Sequence, residues 1–474
     1  MMRLADRNWP DRPDAEGTPE SPAAPEKPAR RRSFWVRKRF WAACAAVLLI
    51  GVLFRVVWDW THPPSPLLEV AADAAPEVAE LLREANQLAQ DTVAIFPDDP
   101  YAWDVMGQLL GRFGKTEEAA QCWEKALELD PNFAVGYQSL GNLALERGEL
   151  KKAAEYYRKA WELQRDSSVY PVQLAEVLIQ DGRLEEARQV LTECLRRHPR
   201  SLPARALLGQ ILVPLKDYSA ACEHLMYVIT ANPDYTNAYY PLSTALSRLG
   251  QTEEARKYLA RFQELKRRDE QRHRMSLKTE TQLPAVRAAL ARAYLLVAKI
   301  YIARGDVATG ERLLKRGQEL NPDEEEIPPL LAWLYFKTGR ENEAVTTLQN
   351  YLQKHRGSLE AQMAAGKVFA EFKRFEEAEA AYRRAIEMTP LEAGGYAALA
   401  SLYITAGRRP FDAHVLALRA VAREPAPQFF FILALAAGRD GDTPAALAAA
   451  REAARLDPTN DQYQRLLDSL RRTP

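Results

Sequence analysis

The side chains that most often catalyse reactions or bind metals are scattered along this chain. The six histidines are His62, His198, His224, His273, His355 and His414. The four cysteines are Cys44, Cys122, Cys194 and Cys222, and they contain no Cys-x-x-Cys pair. None of these residues combines with another ligand type at metal-binding spacing. Phosphate-binding glycine loops, nucleophile elbows and metalloprotease motifs are also absent from the sequence. We therefore expect no enzyme activity, metal, cofactor or small-molecule substrate.

The overall charge argues against nucleic acid as the partner. The 64 lysines and arginines are balanced by 64 aspartates and glutamates. Sequence-independent binding to nucleic acid depends on an excess of positive charge that displaces counterions from the phosphates. We therefore expect no nucleic-acid partner.

The N-terminal 60 residues predict a tail followed by a membrane anchor. Residues 1–39 are rich in proline and charge, which predicts a disordered basic tail. An uncharged run, FWAACAAVLLIGVLF, then extends from Phe40 to Phe54. The long stem of Arg55 can reach the headgroups, so the span can continue to Trp60 and approach the roughly 20 residues that a membrane crossing requires. Residues 40–60 are therefore predicted to form one transmembrane helix.

Charge on either side of this span predicts its orientation. Six basic residues, between Arg30 and Arg39, precede it, and acidic residues from Asp59 to Glu80 follow it. The positive-inside rule then places the N-terminus in the cytoplasm and the rest of the chain across the membrane, which is the periplasm in a bacterium. Because that compartment can be oxidising, one disulfide among the later cysteines remains an open alternative. A cleavable signal peptide is disfavoured because no small-x-small site follows the span, and Arg31-Arg32 stays open as a twin-arginine export signal.

A 34-residue period governs the rest of the chain. Glycines recur at this interval, with lysine in one slot of each series: Gly114, Gly148, Gly182, Lys216 and Gly250, then Gly305, Gly339, Lys373, Gly407 and Gly441. Alanines follow the same interval from Ala119 to Ala255 and from Ala344 onward, with Gly310 in the alanine slot. Three registered series, counting prolines at the repeat ends, indicate an array of identical structural units.

The unit from Pro100 to Asn132 shows why particular residue types recur at particular positions of the repeat. Trp103, Met106 and Leu110 recur at helical spacing and predict the buried face of a first helix. Gly114 ends this helix, because a left-handed residue after a helix is least costly without a Cβ. The second helix places small alanines against the first and ends at Pro131. Such a helical hairpin cannot cover its own apolar face and must stack on neighbours.

This pattern resembles the tetratricopeptide repeat. The matching residues in the first unit are Trp103, Met106, Gly107, Leu110, Ala119, Trp123, Ala126 and Pro131. Ten units begin near residues 100, 134, 168, 202, 236, 291, 325, 359, 393 and 427. The resemblance implies an all-α fold, a right-handed superhelical solenoid of helical hairpins, here preceded by one transmembrane helix. It also implies a scaffold that binds a protein or peptide partner.

The units divide into two arrays. Array one covers residues 66–267 and begins with a degenerate unit, and array two covers residues 291–474 and ends in a capping helix. A basic helical linker, residues 268–290, separates them. The basic patch around it consists of Lys266, Arg267, Arg268, Arg272 and Arg274. This segment is either a solvated helical extension or a surface for an acidic partner or anionic headgroups.

The resemblance also indicates which residues face the concave groove. Inward positions of the first helices are Tyr101, Asp104, Gln108, Gln138, Asn142, Asn237, Tyr240, Trp333 and Phe336. We expect an extended peptide in this groove, with Tyr240, Trp333 and Phe336 as apolar anchors. Packing of Trp333 and Phe336 against the adjacent unit is the alternative. At the level of function, the alternative to a membrane-tethered scaffold is an accessory subunit of a membrane enzyme or export complex.

Overall fold

A computed structural model describes residues 75–279 and 282–472, with side chains given outside 272–282. This part of the chain contains 22 helices. They are α1 (Pro76–Ile95), α2 (Pro100–Arg112), α3 (Thr116–Leu129), α4 (Ala134–Glu146), α5 (Leu150–Leu163), α6 (Val169–Gln180), α7 (Leu184–Arg197), α8 (Leu202–Leu212), α9 (Tyr218–Ala231), α10 (Thr236–Arg248), α11 (Thr252–Thr279), α12 (Gln282–Ala303), α13 (Val307–Leu320), α14 (Ile327–Lys337), α15 (Glu341–Lys354), α16 (Leu359–Glu371), α17 (Phe375–Met388), α18 (Ala393–Ala406), α19 (Pro410–Arg423), α20 (Pro427–Asp440), α21 (Thr443–Leu456) and α22 (Asp461–Arg472).

Helices α2 to α21 form ten hairpins, one for each unit of the 34-residue period. Within each hairpin the alanine of the second helix is buried against the first helix, as at Ala119, Ala187 and Ala378, which have no exposed surface. Gly310 takes this place in the sixth unit because an added Cβ would lie 2.5 Å from the Ile302 side chain. The all-α hairpin array predicted from the sequence is therefore confirmed.

The turn inside each hairpin uses a left-handed residue. Among the described residues, positive φ angles occur at eight glycines and at Lys216, Lys373 and Arg409. Lys216 (φ 64°) and Lys373 (φ 59°) are the two lysines that replace glycine in the sequence series. The backbone conformation at this position is thus set by the hairpin geometry, whichever residue occupies it.

Array two begins against the first helices of array one. Helix α12 packs on α1 and α2, and the three share a core with α13 in which Leu81, Val105, Leu290 and Val297 are buried. We call this region the junction. Helix α11, 28 residues or about 42 Å long, leads from the fifth unit toward it.

Polar contacts reinforce the junction. The Arg316 Nε lies 2.8 Å from a Glu84 carboxylate oxygen, and the Tyr294 hydroxyl donates to the same carboxylate at 2.6 Å. The Arg304 guanidinium is 2.9 Å from the Asp99 carboxylate. Because these pairs join residues more than 200 positions apart, they fix array two to the first unit of array one.

The structure assigns the predicted linker to two helices. Residues 268–290 form the end of α11 and the beginning of α12, with residues 280–281 not described. At the other end of the chain, α22 covers the last hairpin through buried Tyr463 and Leu467. No described helix is both long enough and apolar enough to cross a bilayer. The predicted tail, residues 1–39, and anchor, residues 40–60, lie outside the described residues.

Candidate partner-binding groove

The inner faces of α2, α4 and α6 carry a row of amide side chains. The Gln138 Nε2 donates to the Gln173 Oε1 at 3.1 Å, and the Tyr157 hydroxyl donates to the Asn142 Oδ1 at 2.6 Å. Gln108, Gln138 and Asn142 lie in the wall of a cavity of about 490 Å³. We call this cavity the polar groove. The structure therefore brings together three of the residues predicted from the sequence.

The prediction of Asp104 as an open groove residue is wrong, because its side chain is almost completely buried. Its side chain is 3% exposed and accepts hydrogen bonds from the Trp123 Nε1 at 3.1 Å and the Gln108 Nε2 at 2.8 Å. Burial raises the pKa of Asp104 to about 6, although both hydrogen bonds act in the opposite direction. Asp104 is thus a supporting residue that holds the Gln108 amide in place.

A second cavity, which we call the cleft, lies between α2 and α12 and has a volume of about 630 Å³. Helix α2 contributes Tyr101 and Val105, and α12 contributes Leu296 and Ile300. Tyr101 is 55% exposed, with its ring edge-on to Phe133 at 4.9 Å between centroids. The cleft exists because array two packs against array one.

The remaining predicted aromatics lie elsewhere. Tyr240 is exposed on α10 beside Phe262, with 5.6 Å between ring centroids, and Asn237 is exposed on the same helix. Trp333 is half-buried and donates from Nε1 to the Glu371 carboxylate at 2.8 Å.

Phe336 is not an anchor. It is 8% exposed and stacks on Phe372 of the next unit at 4.7 Å. An apolar ring at this position finds an aromatic partner in the neighbouring helix and buries its surface there, so the alternative of inter-unit packing is correct for Phe336.

The basic patch is divided by the structure. Lys266 and Arg267 are exposed on α11, whereas the Arg268 guanidinium turns to the Asp234 carboxylate at 3.0 Å. The side chains of Arg272 and Arg274 lie outside the described ones. Lys266 and Arg267 therefore remain available to an acidic partner.

The three described cysteines are free. Cys122 and Cys194 are buried in the second helices of their hairpins, and Cys222 is half-buried. Burial raises the pKa of Cys122 to about 12 and that of Cys194 to about 11. These thiols pack as small apolar side chains.

Sequence reasoning missed the α12 wall of the cleft. Leu296 and Ile300 follow the ordinary helical spacing of a repeat, and they are almost 200 residues from Tyr101 in sequence. A period reveals contacts between neighbouring units, and it contains no signal for contacts between distant ones.

Comparison with known proteins identifies the repeats. Three models of the tetratricopeptide repeat match the chain. One matches residues 144–211, a second matches residues 105–168, 330–393 and 398–461, and a third matches residues 236–269. These matches together span more than half of the chain. No curated protein matches it in sequence.

Several solved structures are similar. YrrB, described as a tetratricopeptide repeat protein with an unusual peptide-binding site, is 20% identical with a TM-score of 0.34, over 37% of this chain and 91% of its own. Yeast Tom70 is 16% identical with a TM-score of 0.34, over 78% of this chain and 95% of its own. A chain of the Cut9–Hcn1 hetero-tetramer is 12% identical with a TM-score of 0.29, over 83% of each chain. On the evidence of the repeat models, this chain belongs to the tetratricopeptide repeat family.

Proposed function

We propose that this protein is a scaffold that binds a protein or peptide partner along the polar groove. The observation that carries the proposal is the row of amides on α2, α4 and α6. An amide carries two N–H donors and two acceptor lone pairs, so Gln108, Gln138 and Asn142 keep hydrogen-bonding capacity beyond the contacts described above, and an extended backbone requires such groups from its binding surface. Tyr101, exposed in the cleft on the same helix as Gln108, adds a rigid ring that can bury apolar surface at a small entropy cost.

The proposal places catalytic activity in another chain. Helical repeats take up residues 76–472, apart from the undescribed pair 280–281. The one strongly shifted carboxyl of the groove region, Asp104, is held by Trp123 and Gln108 and presents almost no surface to a substrate. Its raised pKa therefore follows from burial in a structural network.

A membrane location is also part of the proposal. It is supported by the uncharged run from Phe40 to Phe54 and by the basic residues before it. Residues 40–60 would tether the scaffold, with the N-terminus in the cytoplasm and the repeats across the membrane. In sealed vesicles of known orientation, protease added from the cytoplasmic side should leave the repeats intact, and their digestion would refute this topology.

The groove is tested with peptides. A displayed library of random dodecapeptides is selected on the immobilised full chain, and the selected peptides are synthesised with a fluorophore. Gln138→Ala and Asn142→Ala should each weaken binding about 5-fold, the equivalent of one hydrogen bond of about 1 kcal/mol. Gln263→Ala removes an exposed amide on α11 and is the matched control. Equal affinities for all four proteins would refute the groove.

A further inference from the structure

The polar groove and the cleft are parts of one continuous surface. A smaller cavity of about 180 Å³ lies between them. It shares Val105 and Leu296 with the cleft, and it shares Gln108 and Arg112 with the polar groove. A ligand can therefore pass from the cleft into the groove along one face of α2.

The cleft suits an apolar side chain. Val105, Leu296 and Ile300 form its floor, and its volume lies within the range of about 300–1,000 Å³ that is typical of ligand pockets. A large aliphatic or aromatic side chain placed there would remove apolar surface from water on both sides, at about 25 cal/mol for each Å².

The cations along this surface differ in their partners. The Arg304 guanidinium is paired with Asp99 at 2.9 Å, and the Lys299 ammonium is paired with Glu326 at 2.7 Å. Arg292 is paired with Glu324 and Glu326. Among the described residues, no carboxylate lies within ion-pair distance of Arg112, which is exposed where the small cavity meets the polar groove. Arg112 is therefore the cation that an incoming acidic group can neutralise.

The geometry points to a partner segment of defined chemistry, and this inference rests on the proposed function. We propose that the surface binds an extended peptide that contains a large apolar residue and, a few positions away, an acidic residue. The apolar side chain enters the cleft, the carboxylate pairs with Arg112, and the backbone continues along Gln108, Gln138 and Asn142.

The spacing of the two peptide residues follows from α2. Val105 and Arg112 are seven residues apart on one helix, or about 10 Å at 1.5 Å per residue. An extended peptide advances about 3.3 Å per residue, so the acidic residue lies about three positions from the apolar one. Glu146, at the far end of the polar groove, disfavours a second acidic residue further along.

The experiment uses the full chain and the selected fluorescent dodecapeptides. Ala303→Trp fills the mouth of the cleft from an exposed position, and Arg112→Gln removes the unpaired cation. Each should weaken binding at least 10-fold in fluorescence polarisation. Ala448→Trp and Arg451→Gln, both at exposed positions of α21 outside this surface, are the matched controls and should change affinity less than 2-fold. Unchanged thermal melting verifies that every variant is folded.

The outcomes separate this inference from the proposed function. Selected peptides that share the apolar and acidic residues at the expected spacing, and that respond to both Ala303→Trp and Arg112→Gln, support the inference. Peptides that respond to Gln138→Ala but not to Ala303→Trp or Arg112→Gln overturn it and leave the groove function standing. If no peptide is enriched on the full chain, both proposals are wrong.

Discussion

Lys216 and Lys373 should each destabilise the unit that contains them. Both adopt the left-handed conformation that glycine adopts in the equivalent turns, and both side chains are exposed. The turn hydrogen bonds are the same in the two cases: Lys216 N donates to Val213 O at 3.0 Å, and Gly148 N donates to Leu145 O at 2.9 Å. Replacing either lysine with glycine therefore changes the backbone preference and little else.

The expected change in the stability of each unit is the sum of two opposing contributions. A residue with a Cβ costs about 1–2 kcal/mol in the left-handed region. Glycine increases the entropy of the unfolded chain, which offsets about 0.4–1 kcal/mol of the gain. We expect Lys216→Gly and Lys373→Gly to stabilise their units by about 0.5–1 kcal/mol each.

Local hydrogen exchange is the suitable assay, because a repeat array loses stability unit by unit and a single global transition is poorly defined. Amides of α8 and α9 in Lys216→Gly should exchange about 2- to 5-fold more slowly, with α16 and α17 unchanged. Gly148→Ala is the control of opposite sign, since no atom lies within 4 Å of its added Cβ and the cost is confined to the backbone. Unchanged or faster exchange in Lys216→Gly would refute the reasoning.

Two further predictions concern packing and charge. Gly366→Ala should destabilise the eighth unit by about 1–3 kcal/mol in denaturant unfolding, because the added Cβ would lie 2.5 Å from the Tyr382 ring. Gly394→Ala is the control, since its added Cβ meets open space and should not destabilise the fold. Equal effects of the two substitutions would contradict the packing argument. The Arg340 guanidinium holds the pKa of Glu311 at about 2, so this pair contributes stability above the ordinary carboxyl pKa of 4.5 and loses it as pH falls toward 2. Glu311→Gln should flatten that part of the stability–pH curve, and an unchanged curve would show that the pair contributes nothing.

The repeat architecture could be predicted from sequence because each unit repeats the same residue pattern and the same local contacts. The lysines at 216 and 373 occupy glycine slots, and the structure gives them the glycine conformation. Gly310 departs from the alanine pattern because Ile302 fills the space of a methyl group. Such features depend on contacts within one hairpin or between adjacent hairpins.

The candidate site was less predictable because position on a helix does not specify the partner of a side chain. Asp104 and Phe336 occupy inward positions of the repeat, yet Asp104 turns to the Trp123 indole and Phe336 stacks on Phe372. Gln108, Gln138 and Asn142 also form hydrogen bonds with neighbouring side chains, yet these contacts leave them in the wall of the polar groove. The second wall of the cleft comes from a helix of the other array, which periodicity cannot reveal.

The junction has a consequence for how the chain is made. An ordinary linear array buries each hairpin as soon as the next one leaves the ribosome, whereas here the apolar side of α1 that meets α12 waits for residues up to about 303. At about 5–20 residues per second, the ~200 intervening residues take about 10–40 s to synthesise. Throughout that interval the apolar side chains of Leu81 and its neighbours stay exposed to solvent. Chaperone binding or aggregation then competes with the docking of α12 on α1. Closing so long a loop also makes assembly of the junction slower than the propagation of hairpins along either array.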